Sequence, residues 1–335
     1  CFRTLEQNDL FLTQLFGMSG VRPVVRLDFC DFWPGYRKDD NFFFNLLKLR
    51  FDVQLTDQPD FLIYSDPGSH LHRLHDCVKI YFGIESHLPD WRECDYAITC
   101  HYLEDPRHLR LPYYVLYGGP EALRKEGEDL EKILAAKTRF CGFVVSNAGN
   151  RRAQKRIEFF HRLSRYKQVD SGGRAFNNIG GPIPGGPAGK LEFLRSCKFN
   201  IAFENASIPG YTTEKLYEAM QARTVPIYWG NPRIHEEFNP RSFLNYFDFP
   251  SEEALIERIL ELDRDDDRYL EVMRQPYLNA DRPNESFDLR RVVAFFEKIF
   301  TTPVRPVSRR RSWFRLGRWT LAKRNKGAAG FVGPP

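Results

Sequence analysis

Residues 199–205 read FNIAFEN, residues 211–215 read YTTEK, and residues 224–230 read TVPIYWG. The first is an apolar run ending in two polar residues, which predicts a buried strand delivering Glu204 and Asn205 to its carboxyl end. Pro209 and Gly210 then turn the chain. Thr212 or Thr213 is placed to cap a helix that opens on Glu214 and Lys215. A helix start offers free N–H groups to phosphate, and a lysine in its first turn opposes the helix dipole unless an anion is bound there. Strand, turn and helix in this order predict a nucleotide-sugar site.

Working outward, short buried strands are expected at 21–30, 61–64, 79–83 and 96–99, with helical or loop segments between them. A second alternating series begins at 140–146, continues through a helix carrying Lys155, Arg156, Phe159, Phe160 and Leu163, and reaches 225–229 and a helix around 252–262. The alternation predicts α/β architecture with parallel sheets and crossover helices. At 335 residues the chain is about twice a typical domain of roughly 150 residues. The expected division is 1–138, 139–304 and a tail 305–335, with the charged stretch 121–138 as linker. Two doubly wound halves facing each other would place a cleft at the carboxyl ends of both sheets. Arg156 and Lys215 would supply positive charge for a diphosphate there, Asn205 and Tyr211 hydrogen bonds, and Glu214 an acceptor for ribose or sugar hydroxyls.

No run approaches the roughly 18 apolar residues that cross a bilayer, and the first residues lack the pattern of a signal peptide. Seven scattered cysteines, with no pair at metal-ligand spacing, favour a reducing compartment and argue against zinc. Asn205, Ala206 and Ser207 would form a glycosylation sequon inside the expected site, which also favours a cytoplasmic address. The net charge of +5 is unevenly spread: residues 305–335 hold nine Lys or Arg and no acid, leaving a slightly acidic body. In the tail Trp313, Phe314, Leu316, Trp319 and Leu321 alternate with Arg311, Arg315 and Arg318. That pattern suits a helix lying on an anionic membrane surface, here the inner face, better than a nucleic-acid contact.

Three segments invite other chemistry and do not support it. The glycine-rich stretch 172–189 ends in Gly189 and Lys190, but a P-loop needs a first glycine where Pro184 stands and Ser or Thr where Leu191 stands. A flexible surface loop is expected there. Asp265–Asp267 lies among Glu and Arg with no strand end before it, as on a solvated helix face. His70, His72 and His75 lack a partner at ligand spacing and read as solvated residues.

Taken together, the 199–230 motifs, FNPRSF at 238–243, VVSN at 144–147 and Lys155 with Arg156 resemble the α-1,3/4-fucosyltransferase family, especially its bacterial members. The likeness is close from about 139 to 250 and weaker over 60–115. It implies the GT-B fold, two Rossmann-like domains with GDP-fucose bound in the C-terminal one, and inversion without an obligatory metal or other cofactor. It also implies that Arg156 and Lys215 contact the diphosphate, that Glu214 meets the fucose or ribose, and that Asn205 and Tyr211, with Glu204 and Ser146, complete the donor pocket. The product would be a Lewis-type glycan, with fucose on the 3-hydroxyl, or the 4-hydroxyl, of N-acetylglucosamine in an N-acetyllactosamine-type acceptor. Another GT-B transferase using a different nucleotide sugar, or a membrane-attached binding protein without catalysis, is the alternative.

An inverting transfer needs a carboxylate to take the acceptor's proton. Residues 81–85, YFGIE, set Glu85 just past an N-terminal-domain strand and resemble the family's Tyr-x-Gly-Glu-Asn segment, with Ile84 shifting the match by one. Glu85 is the expected base, ahead of Glu93, Asp95 and Glu104, and Glu214 would stabilise positive charge on the sugar ring.

Overall fold

The computed structural model describes residues 21–66, 70–146, 149 and 154–308. Its strands form two separate sheets. The N-terminal sheet comprises β1 (Val24–Cys30), β2 (Asp52–Leu55), β3 (Phe61–Ser65), β4 (Val78–Phe82), β5 (Tyr96–Thr99) and β6 (His108–Arg110), in the order β2-β1-β3-β4-β5-β6. The pairings of β1 with β2 and β3, of β3 with β4 and of β4 with β5 are parallel. Between β1 and β2 lies helix α1 (Phe42–Leu47), capped by the Asn41 side chain.

Two short edge elements had no sequence signal strong enough to place them. β2 reads DVQL and is largely exposed, and β6 has three residues, so neither carries the apolar run that marks β3 to β5.

The second sheet comprises β7 (Arg139–Phe143), β8 (Val169–Ser171), β9 (Cys197–Phe203), β10 (Val225–Trp229) and β11 (Leu244–Asn245), in the parallel order β11-β10-β9-β7-β8. Helix α2 (Leu130–Ala135) precedes β7, and α3 (Gln154–Ser164) follows it. Then come α4 (Gly186–Arg195), α5 (Glu214–Gln221), α6 (Glu252–Arg264) and α7 (Asp266–Arg274). Phe199, Ile201 and Phe203 of β9 alternate onto one face, where α3 brings Phe159 and Phe160. Phe159 stacks on Phe203 at 4.7 Å and Phe160 on Phe143 at 4.8 Å. Each such fully buried ring contributes about 1.5–3 kcal/mol. A separate cluster of Phe193, Leu194, Cys197 and Ala222 holds α4 and the end of α5.

In each sheet the first strand is flanked by the second and third, so the strand order reverses beside β1 and beside β7. Open α/β sheets bind ligands at the carboxyl ends of the strands at such a reversal. For the second sheet those ends belong to β7 and β9, where Ser146, Glu204 and Asn205 follow.

The chain divides into compact units elsewhere than at 138 and 304. Among the described residues, one unit is Cys100–Leu103 with Arg110–Leu289; the other is 21–99, Glu104–Leu109 and 290–308. Helix α8 (Arg290–Thr301) explains the second boundary. Its buried Val292, Val293, Phe295, Phe296 and Ile299 form a helical apolar stripe, with Phe296 5.8 Å from Phe43 and Phe295 6.0 Å from Tyr96. The stretch 121–138 is not a linker but part of the C-terminal unit: Arg223 pairs with Glu128 at 2.6 Å, and Lys125 donates to the carbonyls of Met273 and Gln275.

The tail begins docked on the N-terminal unit. The Val307 amide donates to Asp95 at 2.9 Å and the Ser308 hydroxyl to Asp76 at 2.8 Å. The aromatic and basic residues 311–321 expected to form a membrane-surface helix lie outside the described residues. No helix among the described residues is long and apolar enough to cross a membrane.

Candidate functional site

Strand β9 ends at Phe203, and Glu204 follows with no exposure, its amide donating to the Trp229 carbonyl at the end of β10. The Glu204 carboxylate accepts the Thr213 amide and the Thr213 hydroxyl, each at 2.7 Å, and Lys215 Nζ at 3.1 Å. Thr213 therefore occupies the N-cap position of α5 without capping it by its side chain, because its hydroxyl is committed to Glu204. Burial pushes the Glu204 carboxyl up, against the pull of Lys215 and the Thr213 bonds.

Lys215 also reaches Glu214 Oε1 at 3.3 Å and the Thr213 hydroxyl at 2.8 Å. Burial works against its ammonium, but Glu204 and Glu214 outweigh it and raise its pKa, so the lysine is a fixed cation. For Glu214 burial also opposes ionisation, and the positive charges of Lys215 and Lys190 bring its carboxyl down to about 2.

Helix α3 buries its apolar face and on the same side carries Arg156, itself buried, whose Nη1 donates to Asn205 Oδ1 at 2.6 Å. The Arg156 charge is close enough to repel that of Lys215. One guanidinium and one ammonium thus stand near each other at the strand reversal, the ammonium beside the carboxylates of Glu204 and Glu214 and the guanidinium on Asn205. Ser146 stands exposed beyond the end of β7, at the same end of the sheet. Tyr211 is buried, with its amide on the Ile208 carbonyl.

Lys190 joins this group although no P-loop precedes it. It sits in the first turns of α4, pairs with Glu218 and lines, with Lys215, Asn200 and Val144, a small cavity of about 20 Å³. The segment before it is folded rather than a free loop. Gly173 packs so closely on β7's extension that an added Cβ would lie 2.0 Å from the Val145 carbonyl oxygen, and the Ile183 amide bonds the Gly172 carbonyl. Pro187 just inside the helix start was the available signal for α4.

A buried polar network that the sequence reading missed fixes the loop from Asn205 to Thr213. Asn231 Oδ1 accepts the amides of Gly210 and Arg233, both at 2.9 Å, and its Nδ2 donates to Thr212 at 3.1 Å and Glu237 at 2.8 Å. Arg110 pairs with Glu237 at 2.7 Å. Gly210 has φ +87°, and a Cβ there would meet the Cys100 carbonyl oxygen at 2.2 Å. Asn231 lies two residues past the end of β10, the position that Asn205 occupies after β9.

In the N-terminal unit Glu85 follows β4, and its amide donates to Asp66 at 3.3 Å. Two of the other carboxylates considered for the base are engaged in structure. Glu93 is held by Arg73 at 2.9 Å and His72 at 2.9 Å, which together overcome burial and bring it down to about 2. Asp95 is buried and accepts the amides of Lys79 and Val307. Glu104 is exposed.

The histidine segment differs from the solvated residues expected. His72 is buried between Asp31, 2.5 Å from Nδ1, and Glu93, and it stacks on Tyr64 at 4.0 Å. Alternation alone could not reveal it, because Asp31 lies 41 residues away. Asp265 likewise is no helix-face residue; its carboxylate caps α7 by accepting the Arg268 amide at the junction with α6.

The family model for the C-terminal part of glycosyltransferase family 10 (fucosyltransferase) matches residues 134–275, and that for the alpha-(1,3)-fucosyltransferase FucT N-terminal domain matches 27–117. Together they cover more than half of the chain and reach further toward its start than the quoted motifs did. Among curated relatives, the chain is 28% identical over 296 residues to alpha-(1,3)-fucosyltransferase FucT of Helicobacter pylori, across 76% of this chain and 60% of that one. It is 37% identical over 144 residues to the 4-galactosyl-N-acetylglucosaminide 3-alpha-L-fucosyltransferase FUT6 of Homo sapiens, across 42% and 38%. The chain thus spans less than two thirds of the length of these relatives. A crystal structure of alpha1,3-fucosyltransferase with GDP-fucose superposes with a TM-score of 0.72 at 25% identity, covering 91% of this chain and 98% of that one. With two Rossmann-like parallel-sheet domains of the GT-B class, the chain belongs to the family 10 fucosyltransferases.

Proposed function

We propose that this protein is an inverting fucosyltransferase that moves L-fucose from GDP-fucose to the 3-hydroxyl, or the 4-hydroxyl, of N-acetylglucosamine in a lactosamine-type acceptor. The observation that carries the reading is the pairing of Arg156 and Lys215 around Asn205 and Glu204 at the strand reversal of the C-terminal unit. The names of the relatives support the donor and the acceptor class.

In this reading Arg156 and Lys215 bind the diphosphate and stabilise the charge it gains as the bond to fucose C1 breaks. The acceptor hydroxyl attacks C1 from the opposite face, and Glu85 takes its proton. Glu214, held ionised by two lysines, faces positive charge developing on the sugar ring. Asn205 and Tyr211 shape the pocket, and Ser146 borders it. No step needs a metal. The basic tail attaches the enzyme to the cytoplasmic face of an anionic membrane.

The test is the product. Incubation with GDP-fucose and N-acetyllactosamine should give a trisaccharide whose NMR spectrum shows an α-fucosyl unit on O3 of the N-acetylglucosamine. A fucosyl unit elsewhere, or transfer only from another nucleotide sugar, would refute the acceptor or the donor assignment.

A further inference from the structure

The strand reversal of the N-terminal sheet lies beside β1 and β3, and the first residue after β3 is Asp66. Ser65 is in register with Phe82 of β4, and its hydroxyl donates to the Phe82 carbonyl at 2.7 Å, so Asp66 and the segment leaving β4 start from one locked rung. From Gly83 to Pro89 that segment has no regular secondary structure. Asp66 gathers it: Oδ2 accepts the Glu85 amide at 3.3 Å, Oδ1 accepts the Tyr81 hydroxyl, and His87 Nδ1 lies 3.4 Å from Oδ1.

The approach of Tyr81 to Asp66 uses the missing side chain of Gly83. A Cβ at that position would stand 3.1 Å from Tyr81 Cε1 and Oη and 3.2 Å from Thr99 Cγ2. The ring is buried, and burial pushes its pKa up, so the hydroxyl remains a donor. One carboxylate thus accepts from residues 81 and 85, lies beside His87, and ties the backbone of an otherwise irregular loop to the end of β3.

We infer that Asp66 is a positioning residue for Glu85, setting the place of the acceptor's base through the Glu85 main chain. This rests on the reading of Glu85 as the base. A base acts within about 2.6–3.2 Å of the proton it takes, and a displacement of about 1 Å costs on the order of 100-fold in rate. Asp66 touches neither the reacting atoms nor the donor in this account.

The experiment is a double-mutant cycle in GDP release with N-acetyllactosamine, alongside GDP-fucose affinity by calorimetry. Asp66→Ala should lower turnover about 30–100-fold with donor affinity unchanged within about twofold, and should cost nothing further in the Glu85→Gln background. Asp66→Asn should recover most of the rate, since its Oδ1 still accepts the Glu85 amide while its amide group donates to the Tyr81 hydroxyl. If Asp66→Ala does not fold, Asp66→Glu, which moves the carboxylate by one methylene, should show the same pattern at about tenfold. An equal loss in the Glu85→Gln background, a parallel loss of donor affinity, or an unchanged rate would overturn the assignment. Full turnover by Glu85→Gln alone would instead remove the base reading, and this inference with it.

Discussion

Lys215 Nζ lies 3.1 Å from Oε2 of Glu204, a carboxylate with no exposure to solvent. In the proposed function the lysine serves two anions, one in the protein and one in the donor. Lys215→Met should weaken GDP-fucose binding by at least tenfold. It should also destabilise the fold by about 3–5 kcal/mol, because breaking a buried pair leaves the other charge uncompensated. Adding Glu204→Gln should restore most of the thermal stability and none of the binding, which calorimetry and thermal denaturation read separately.

Arg156 binds Asn205 through one guanidinium nitrogen and presents a planar fork that lysine cannot copy. Arg156→Lys should raise the Kd for GDP about tenfold, and Arg156→Ala by about 100-fold or more, as titration with GDP will show. Equal affinities in all three proteins would remove Arg156 from the diphosphate site.

How much of this was legible follows from range. The buried runs that became β3, β4, β5, β7, β9 and β10 announce themselves locally, and so does the turn and helix start at Gly210 and Glu214. The partners that give those residues meaning are remote: Asn231 is 21 residues from Gly210, and Arg156 is 49 from Asn205. A sequence shows that Lys215 is badly placed for its helix dipole, but not that Glu204 compensates it. The partners of His72 escape a local reading for the same reason, and the boundary expected at 304 differs from the one at 290 because an amphipathic stripe such as that of α8 does not say which sheet it covers.

Gly210→Ala should destabilise the protein by about 1–3 kcal/mol, from a left-handed backbone in a non-glycine residue and a Cβ driven into the Cys100 carbonyl. Because Thr212, Thr213 and the start of α5 follow directly, GDP affinity should fall with it. A melting temperature unchanged from the parent would contradict the close approach.

The acid limb of stability should carry the signature of Glu93. Its folded pKa of about 2 lies below the ordinary 4.5, so the stability it adds is present above that ordinary value and is lost as pH falls toward 2. Glu93→Gln should lower the melting temperature at neutral pH and flatten its fall between about pH 4.5 and 2. A steeper fall in the variant would mean that the carboxylate is not held ionised by Arg73 and His72.

Deletion from Arg309 onward leaves the docked Val307 and Ser308 in place. It should abolish sedimentation with vesicles containing phosphatidylserine while preserving turnover on soluble acceptors. Retained vesicle binding would contradict membrane attachment through the tail.

Acceptor-dependent transfer from GDP-fucose at the proposed Arg156–Lys215 site is read out by GDP release from the purified protein in EDTA, with and without N-acetyllactosamine. Release should rise sharply with acceptor and drop at least 100-fold in Glu85→Gln while GDP-fucose still binds. Tight, GDP-specific binding without acceptor-dependent release would contradict such transfer.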